Sequence, residues 1–423
     1  MAKIAGMNYF NLEKGKTLTA TDLQLYLEDI QQLFHSVSQQ AEELKEVLSA
    51  PYEKIYAVGI GDSLYSAESV KFASWKNSGK IIEVIESHEF NNYYINFMPS
   101  NSLVLICSGG GSAARTVESY YLAKQHGATV VAVTLSEKSR LRSAGEYSIC
   151  FTPNKSAYID GSCNYMSLAA MMLIVSIKLG VWGGNITAHC AEELYAKYLR
   201  AAEIGFVACM QNEELLRNMM QDAKERNKFY FLGAGPCYIL TEYASAKFME
   251  QAAVDGIHQQ LEEYGHEQYW VHNRNGDGDY IFSICPNGAS IPRCIENLRE
   301  QKFLGLTTVV PTTCGCCEDI KALATYVIET PELMDEDDFW FAAGNILARL
   351  ANFYTAAIGR SEKMFKTDEQ FAEHYTTIHY SRFCPEVAEF DIPCPDEDTI
   401  RNVGARGLAF ENSVTPTGDI GKE

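Results

Sequence analysis

Residues 55–63 read Ile-Tyr-Ala-Val-Gly-Ile-Gly-Asp-Ser, and residues 103–112 read Leu-Val-Leu-Ile-Cys-Ser-Gly-Gly-Gly-Ser. In each stretch an apolar run, typical of a strand buried on both faces, passes directly into a loop of glycine and serine. A helical pattern follows each loop, over residues 62–77 and 113–126. Strands and helices that alternate in this way predict a parallel sheet covered by helices on both faces.

The same alternation occurs twice along the 423 residues. Further strands are predicted at residues 81–85, 129–134, 147–151, 229–232, 280–285, 306–310 and 325–328. We therefore predict an α/β fold with two tandem doubly wound, flavodoxin-like domains, a helical N-terminal segment and a C-terminal tail. The expected bounds are 1–50 for the N-terminal segment, 51–190 for the first domain, 191–360 for the second and 361–423 for the extension. The leading helix, at 22–48, has a candidate capping box in Thr21 and Gln24.

Composition limits the possible partners. The net charge of −20 disfavours binding to nucleic acid or to an anionic membrane surface. No export signal and no apolar run of membrane-spanning length are recognised, so we expect a cytoplasmic protein whose 13 cysteines are reduced. The tightest cysteine cluster, Cys314-Gly-Cys-Cys317, lacks the paired spacing of a zinc site, and we expect no metal there.

The two Gly-Ser loops are the first candidates for ligand binding. Both follow strands of one predicted sheet, and parallel sheets bind ligands at the carboxyl ends of their strands. Glycines allow close backbone approach, while helix N-termini and serine hydroxyls supply donors to an anion. Neither loop ends in the Gly-Lys-Ser/Thr of a nucleotide-binding loop, and Gly59-x-Gly61 lacks the third glycine of a dinucleotide site. A phosphate site and a pair of tight turns without a ligand both remain open.

In the second half, Lys247 and Glu250 lie three residues apart on a predicted helix and therefore on one face. A surface ion pair explains this spacing as well as a catalytic pair does. His266, in Glu263-Tyr-Gly-His266, could likewise be structural.

Taken together, these motifs resemble the sugar isomerase (SIS) domain family. Ser108-Gly-Gly-Gly-Ser112 is similar to its serine-rich phosphate loop, and Cys285-Pro-Asn-Gly288 to its second-domain loop. The run from Phe231 through Lys247-Phe-Met-Glu250 to His266 resembles the isomerase half of glucosamine-6-phosphate synthase and the fructosamine-phosphate deglycases. In that family a histidine follows the glutamate of the Lys-x-x-Glu helix by sixteen residues, as His266 follows Glu250.

The resemblance implies a role for each matching position. Glu250 would be the base that moves a proton between C1 and C2 of a sugar, with Lys247 beside it. His266 would assist ring opening, and in this family it can come from the neighbouring subunit. The residues implied to hold the phosphate are Ser63, Ser108, Gly110, Ser112 and Thr116.

The sequence departs from the family pattern at three points, and each of them bears on which substrate the chain would use. Gly110 and Ala113 stand where the phosphate loop usually carries hydroxyls. The lysine expected near the carboxyl end has no clear match, with Lys366, His374 and His379 as the nearest candidates. No segment resembles the glutaminase half of the synthase, so glutamine-dependent synthesis is not expected of this chain.

The predicted function is that of a cofactor-independent phosphosugar enzyme. Its substrate would be a fructosamine-6-phosphate or an aminosugar-6-phosphate, processed by a deglycase, an aldose–ketose isomerase or a deaminase. Deglycation is favoured on the resemblance alone. The alternative is a non-catalytic, regulatory protein that binds a sugar phosphate and needs the anion loop but no base. The resemblance also implies a homodimer with its site at or near the subunit interface.

Overall fold

The computed structural model describes residues 15–275, 278–360, 370, 374 and 377–379. In this part of the chain ten strands form two five-stranded sheets, and every strand pair is parallel. Helices cover both sheets, which confirms the predicted α/β class with two flavodoxin-like units.

The first sheet has the strand order β2-β1-β3-β4-β5. Its strands are β1 (Lys54–Gly59), β2 (Ile82–Glu86), β3 (Ser102–Ser108), β4 (Thr129–Thr134) and β5 (Tyr147–Cys150). Seven consecutive residues of β3 are buried, as expected for a central strand that is covered on both faces. The chain goes from β1 to β2 on one side and then returns to β3 on the other. The carboxyl ends of β1 and β3 therefore form the crevice in which doubly wound sheets bind ligands.

The second sheet has the order β10-β9-β8-β6-β7, the same topology read from the other end. Its strands are β6 (Lys228–Gly233), β7 (Asp255–Gln260), β8 (Tyr280–Ser283), β9 (Thr307–Thr312) and β10 (Tyr326–Glu329). Sequence analysis missed β7. This edge strand reads Asp-Gly-Ile-His-Gln-Gln and has a single buried residue, so it lacks the apolar run that marks the other strands.

The helices fall between these strands. They are α1 (Ala20–Glu43), α2 (Lys45–Leu48), α3 (Asp62–Ser69), α4 (Lys71–Ser78), α5 (Ser87–Asn92), α6 (Ala114–Gln125), α7 (Arg140–Ala144), α8 (Cys163–Trp182), α9 (Ala188–Gln211), α10 (Glu213–Asp222), α11 (Ile239–Ala252), α12 (Leu261–His266), α13 (Gln268–Asn275), α14 (Ile291–Phe303), α15 (Glu318–Leu323) and α16 (Glu336–Ala357). The helix predicted at 62–77 is divided into α3 and α4.

The N-terminus of α1 differs from its prediction. The capping box consists of Thr19 and Asp22 rather than Thr21 and Gln24. The Thr19 hydroxyl accepts from the Asp22 N–H at 3.2 Å, and the Asp22 carboxylate accepts from the Thr19 N–H at 2.8 Å. The prediction was wrong because Thr19 and Thr21 are both suitable caps, and only the backbone geometry distinguishes them.

A single apolar core joins the two sheets. It includes one face of each sheet and the buried sides of α1, α8, α9, α11 and α16. These helices lie in this shared core, whereas the outer face of each sheet has a smaller cluster of its own. The domain bounds given above stay a prediction, because apolar packing continues across the proposed boundary at 190/191.

Helix α8 is the most apolar element of this core. By length and composition Cys163–Trp182 could cross a membrane, contrary to the expectation that no such run exists, but 83% of its apolar window is buried inside the protein. The burial identifies it as a core helix. The cytoplasmic location stays a prediction.

A close helix crossing provides a test of this packing. Gly205 of α9 faces α16 so tightly that a β-carbon there would lie 2.4 Å from the Ala342 carbonyl oxygen. We expect Gly205→Ala to lower the free energy of unfolding by about 2 kcal/mol, because backbone must move to admit the methyl group. Urea denaturation would measure the loss.

The matched control is Gly265→Ala in α12, where the added carbon would meet only the flexible end of Arg293, at 3.1 Å. This change should be neutral or stabilising by about 0.5 kcal/mol, since alanine favours helix over glycine. Equal effects of the two substitutions would contradict the packing described here.

Candidate functional site

The two Gly-Ser loops meet at the crevice of the first sheet. The Gly109 N–H donates to the Ser63 hydroxyl oxygen at 3.2 Å, which joins the loop after β3 to the first turn of α3. Within the β3 loop, the Gly111 N–H donates to the Ser108 hydroxyl oxygen at 3.1 Å. Each serine oxygen thus accepts from the backbone, and each hydroxyl proton is left to donate to a ligand.

Glycine is required at one position of this loop and leaves room at another. Gly111 has φ +63°, and a β-carbon there would lie 2.3 Å from the Ser139 hydroxyl oxygen. At Gly110, which is exposed, a β-carbon would meet nothing within 4 Å. The loop therefore presents open backbone beside Ser108 and Ser112, where an anion could approach.

Thr116 differs from the other predicted phosphate ligands. It lies in α6 and is 1% exposed, and its hydroxyl oxygen is 3.3 Å from the hydroxyl oxygen of Ser87. This interior partner does not favour a role in phosphate binding, which stays a prediction.

Helix α11 carries Lys247 and Glu250 to the same crevice. The Lys247 Nζ lies 2.6 Å from Oε2 of Glu250 and 2.9 Å from both carboxylate oxygens of Asp62, in the first turn of α3. The side chain of Lys247 is 3% exposed, that of Asp62 16% and that of Glu250 40%. The interpretation of Lys247 and Glu250 as a surface ion pair is therefore wrong for the lysine, which is buried between two carboxylates.

Burial and the opposite charge of the ion-pair partner shift the pKa of Lys247 and of Glu250 in opposite directions. Burial by itself would lower the pKa of Lys247, but Asp62 and Glu250 raise it above its ordinary value, so the ammonium stays charged. Burial raises the pKa of Glu250 and Asp62 adds to the increase, while Lys247 opposes both. A carboxylate whose pKa is raised is a stronger base than one in water.

Asp62 is the residue that sequence analysis overlooked. It stands in the stretch Gly59-Ile-Gly-Asp62-Ser63, but its partner is 185 positions away in the sequence. A carboxylate in the first helical turn after a glycine loop was the only available signal, and it is equally typical of ordinary helix starts.

His266 lies away from this cluster. Its helix α12 packs through Leu261 and Tyr264 on the face of the second sheet to which Tyr230 and Leu232 contribute. Helix α11 packs on the opposite face, where Phe229 and Phe231 lie. The His266 side chain is 67% exposed, and its Nε2 lies 3.6 Å from Oε1 of Glu262. The fold therefore does not bring Glu250 and His266 together within one chain.

The second sheet has an equivalent of the serine loop, but a side chain of the protein fills it. The loop 286–290 follows β8, the counterpart of β3. There Oε1 of Glu336 accepts from the backbone N–H of Ser290 at 3.3 Å and from its hydroxyl at 3.1 Å. A β-carbon at Gly288 would lie 2.2 Å from the Glu336 carboxyl carbon. This second cradle thus already holds a carboxyl group of the protein.

A short piece of the C-terminal segment contacts the serine loop. The His379 Nδ1 lies 3.1 Å from the Ser112 carbonyl oxygen, and the Arg140 guanidinium donates to the His379 carbonyl oxygen. Burial lowers the pKa of His379 to about 4, so its ring is neutral at pH 7 and donates through Nδ1. His374 is described but exposed, and Lys366 lies outside the described residues.

Two other features lie apart from the crevice. A polar groove of about 500 Å³ between α1 and β5 contains none of the predicted site residues. The turn with Cys314, Cys316 and Cys317 lies between β9 and α15. In the described ranges, no group of three or more His, Cys, Asp or Glu side chains could hold a metal ion.

The chain shares sequence similarity with known proteins. Residues 50–177 match the family model of the SIS domain. Glutamine–fructose-6-phosphate aminotransferase (isomerizing) from Thermococcus kodakarensis is 21% identical over 284 residues, which are 67% of this chain and 46% of that protein. The Thermotoga maritima enzyme of the same name is 22% identical over 64% of this chain and 44% of its own length. The chain thus spans less than half of these curated relatives.

Solved structures share the fold. The C-terminal domain of glucosamine-fructose-6-phosphate aminotransferase from Francisella tularensis matches with a TM-score of 0.67 and 15% identity, over 80% of this chain and 97% of that one. Glucosamine-6-phosphate deaminase from Thermotoga maritima matches with a TM-score of 0.55 and 16% identity, over 80% and 96% of the two chains. These matches extend the likeness to both sheets.

The buried ammonium yields a prediction about stability. Lys247→Met should lower the free energy of unfolding by about 3 kcal/mol at pH 8, because Asp62 and Glu250 lose the charge that compensates them. The pKa of the Glu250 carboxyl, which burial already raises, should then rise further in the folded variant, because Lys247 no longer opposes the increase. A group whose pKa is raised binds its proton more tightly in the folded state, so the variant regains stability as the pH falls towards 5.

Denaturation of both proteins at pH 8 and pH 5 would measure this difference. Lys54→Met is the control, because Lys54 forms an exposed pair with Glu83 in which the two side chains are 51% and 38% exposed. It should cost less than about 1 kcal/mol. A loss at Lys247 that is equally small, or that does not depend on pH, would contradict the buried cluster.

Proposed function

Because residues 50–177 match the family model of the SIS domain, we propose that the chain is a cofactor-independent enzyme that acts on a phosphorylated sugar by proton transfer between C1 and C2. The observation that carries the proposal is the meeting of two parts at one crevice. Ser63, which is hydrogen-bonded to the serine loop, directly follows Asp62, and Asp62 contacts Lys247, whose Nζ also contacts Glu250. A phosphate held by the loop would thus place a sugar beside a carboxylate.

The phosphate end would be held by neutral donors. Ser63, Ser108 and Ser112 supply hydroxyls, and the open backbone at Gly110 lets an anion approach. The filled cradle at Glu336 supports the first sheet, rather than the second, as the phosphate site. Since the phosphate does not react, its binding energy can orient the reacting carbons.

Glu250 would act as the general base. Its carboxylate takes a proton from C1 of an open-chain ketose, the C–H electron pair forms the C1=C2 bond, and the C2 oxygen gains a proton. The C1=C2 electron pair then takes the proton back at C2 while the C1 hydroxyl loses its own proton to form C1=O, which yields the aldose with no net oxidation. If C1 carries an amine, the same transfer yields an imine, and water then cleaves the imine into an aldose phosphate and a free amine. Deglycation and isomerisation therefore share this first step.

Lys247 would position the base rather than exchange protons with the substrate. Its Nζ is engaged by two carboxylates and its pKa is raised, so it keeps its proton at neutral pH. The ammonium holds the Glu250 carboxylate in one place without removing its basicity, because burial and Asp62 act against it.

Substitution of the base separates an enzyme from a binding protein. Glu250→Gln should lower turnover of the responsive sugar phosphate by at least about a hundredfold, since the amide cannot accept the proton. Binding should persist, because the serine loop is unchanged. A panel of phosphorylated ketoses, ketosamines and aminosugars would be screened for product, and binding measured by the shift in melting temperature.

The control is Glu242→Gln, a carboxylate in the first turn of the same helix and 25% exposed. It should leave turnover within about twofold of wild type. Full activity of Glu250→Gln would contradict its role as the base. Ligand binding without turnover in wild-type protein would favour the regulatory alternative, and no melting shift at millimolar ligand would contradict the phosphosugar site.

The position of His266 supports a site shared between subunits. We propose a homodimer in which His266 of one subunit assists ring opening at Glu250 of the other. Glu250→Gln and His266→Asn should each be nearly inactive alone. When they are unfolded and refolded together, they should recover about a quarter of wild-type activity, because half of the dimers gain one intact site. Failure to recover activity, while mixed dimers form, would contradict a shared site.

A further inference from the structure

The carboxyl ends of β6 and β8 form a second crevice, which repeats the geometry of the first. Strands β1 and β6 both end in glycine, at Gly59 and Gly233. Two positions later stand Gly61 and Gly235, and both have a φ of +54°. The loops after β1 and β6 thus turn in the same way, at the edge of each sheet where doubly wound folds bind ligands.

The loops after β3 and β8 have the same length. In β3, Ile106 pairs with Val58 and precedes the start of α6 by eight residues. In β8, Ser283 pairs with Leu232 and precedes the start of α14 by eight residues. The loop 286–290 therefore stands where the serine loop stands in the first sheet. Like that loop it opens a helix, and the first N–H groups of a helix attract anions.

Glu336 occupies this second crevice as an anionic ligand would. Its Oε1 accepts from the N–H and the hydroxyl of Ser290, which lies 46 positions away in the sequence. Its carboxyl carbon lies so close to Gly288 that only glycine fits there, since a β-carbon would be 2.2 Å away. Burial, and after it the charge of Glu336, raise the pKa of Cys237 in the loop after β6. The carboxylate therefore acts on both loops of the second crevice.

We propose that the second crevice is a further anion site, for a phosphate group, and that Glu336 keeps it closed as an internal ligand. A phosphate would enter by displacing the carboxylate, because both groups accept from the same N–H and hydroxyl donors. The competing interpretation is that Glu336, in the first turn of α16, only fastens that helix to the loop. A structural contact of this kind predicts no phosphate binding once the side chain is removed, whereas an internal ligand predicts a new site.

The start of α16 would connect anion binding to a contact between the two halves of the protein. Asn287 and Asp335 form a parallel bridge, so the chain that enters α16 runs beside the loop 286–290. The residue after Glu336 is Asp337, which pairs with Lys76 of α4 in the first half. Displacement of Glu336 would therefore act on a segment that both halves hold.

The test counts the phosphate groups that each chain binds. Full-length Glu336→Ala should bind one more than wild-type protein, because the donors of Ser290 and the space beside Gly288 become available. Equilibrium dialysis at about 5 mM radiolabelled inorganic phosphate would fill most sites with a Kd of about 1 mM. The same count with glucitol 6-phosphate identifies the source: a gain with inorganic phosphate alone indicates a free ion, and any gain with the sugar-alcohol phosphate indicates an ester. Adding Ser290→Ala should weaken the new site about tenfold, which locates it in the second crevice.

The matched control is Asp337→Ala, which removes one negative charge from the same turn of α16, where the side chain is 40% exposed. It should bind as many phosphate groups as wild-type protein. No additional phosphate in Glu336→Ala, or an equal gain in Asp337→Ala, would overturn the inference. Glu336→Ser, whose side chain is too short to reach the loop, replaces Glu336→Ala if that variant does not fold. Since the outcome is a difference from wild type, wild-type protein that binds no phosphate would contradict the proposed function alone.

Discussion

One buried ammonium links the two halves of this protein. Lys247 projects from α11, in the second half, into a crevice of the first, and its Nζ contacts Asp62 of α3 as well as Glu250 of its own helix. The Lys247 side chain is 3% exposed, and a buried charge is tolerated only when an opposite charge pairs with it. Helices α3 and α11 must therefore keep their relative positions. Because Ser63 follows Asp62, the same constraint holds the anion cradle next to the carboxylate. The proposed chemistry depends on this contact more than on either loop alone.

The two sheets have the same topology but differ in the loop that follows the central strand. In the first sheet, the loop after the central strand leaves open backbone at Gly110, whereas in the second the carboxylate of Glu336 takes up the equivalent donors at Ser290. The second half instead contributes α11 with its lysine and glutamate. A duplicated fold has thus become asymmetric through a few side chains, while the apolar core shared by the two sheets keeps the halves together.

The single chain holds most but not all of the proposed machinery. His266 lies on the face of the second sheet opposite Glu250, largely exposed, where a second subunit could reach it. His379, one of the three candidates for the lysine that the family pattern has near the carboxyl end, lies against the serine loop. Its ring is neutral and its Nδ1 faces a backbone carbonyl, so it cannot replace the charge of that lysine at neutral pH.

The sequence by itself determined the fold class, nine of the ten strands and the two glycine-serine loops, because apolar runs and glycines report on local burial and backbone conformation. It missed β7, whose edge position removes the apolar signal. Only the tertiary structure decided that Lys247 is buried, that Asp62 is its partner and that His266 lies on another face. Those facts depend on the packing of helices distant in the chain, and the charge of a site is the sum of side chains brought together by that packing, which no local pattern encodes.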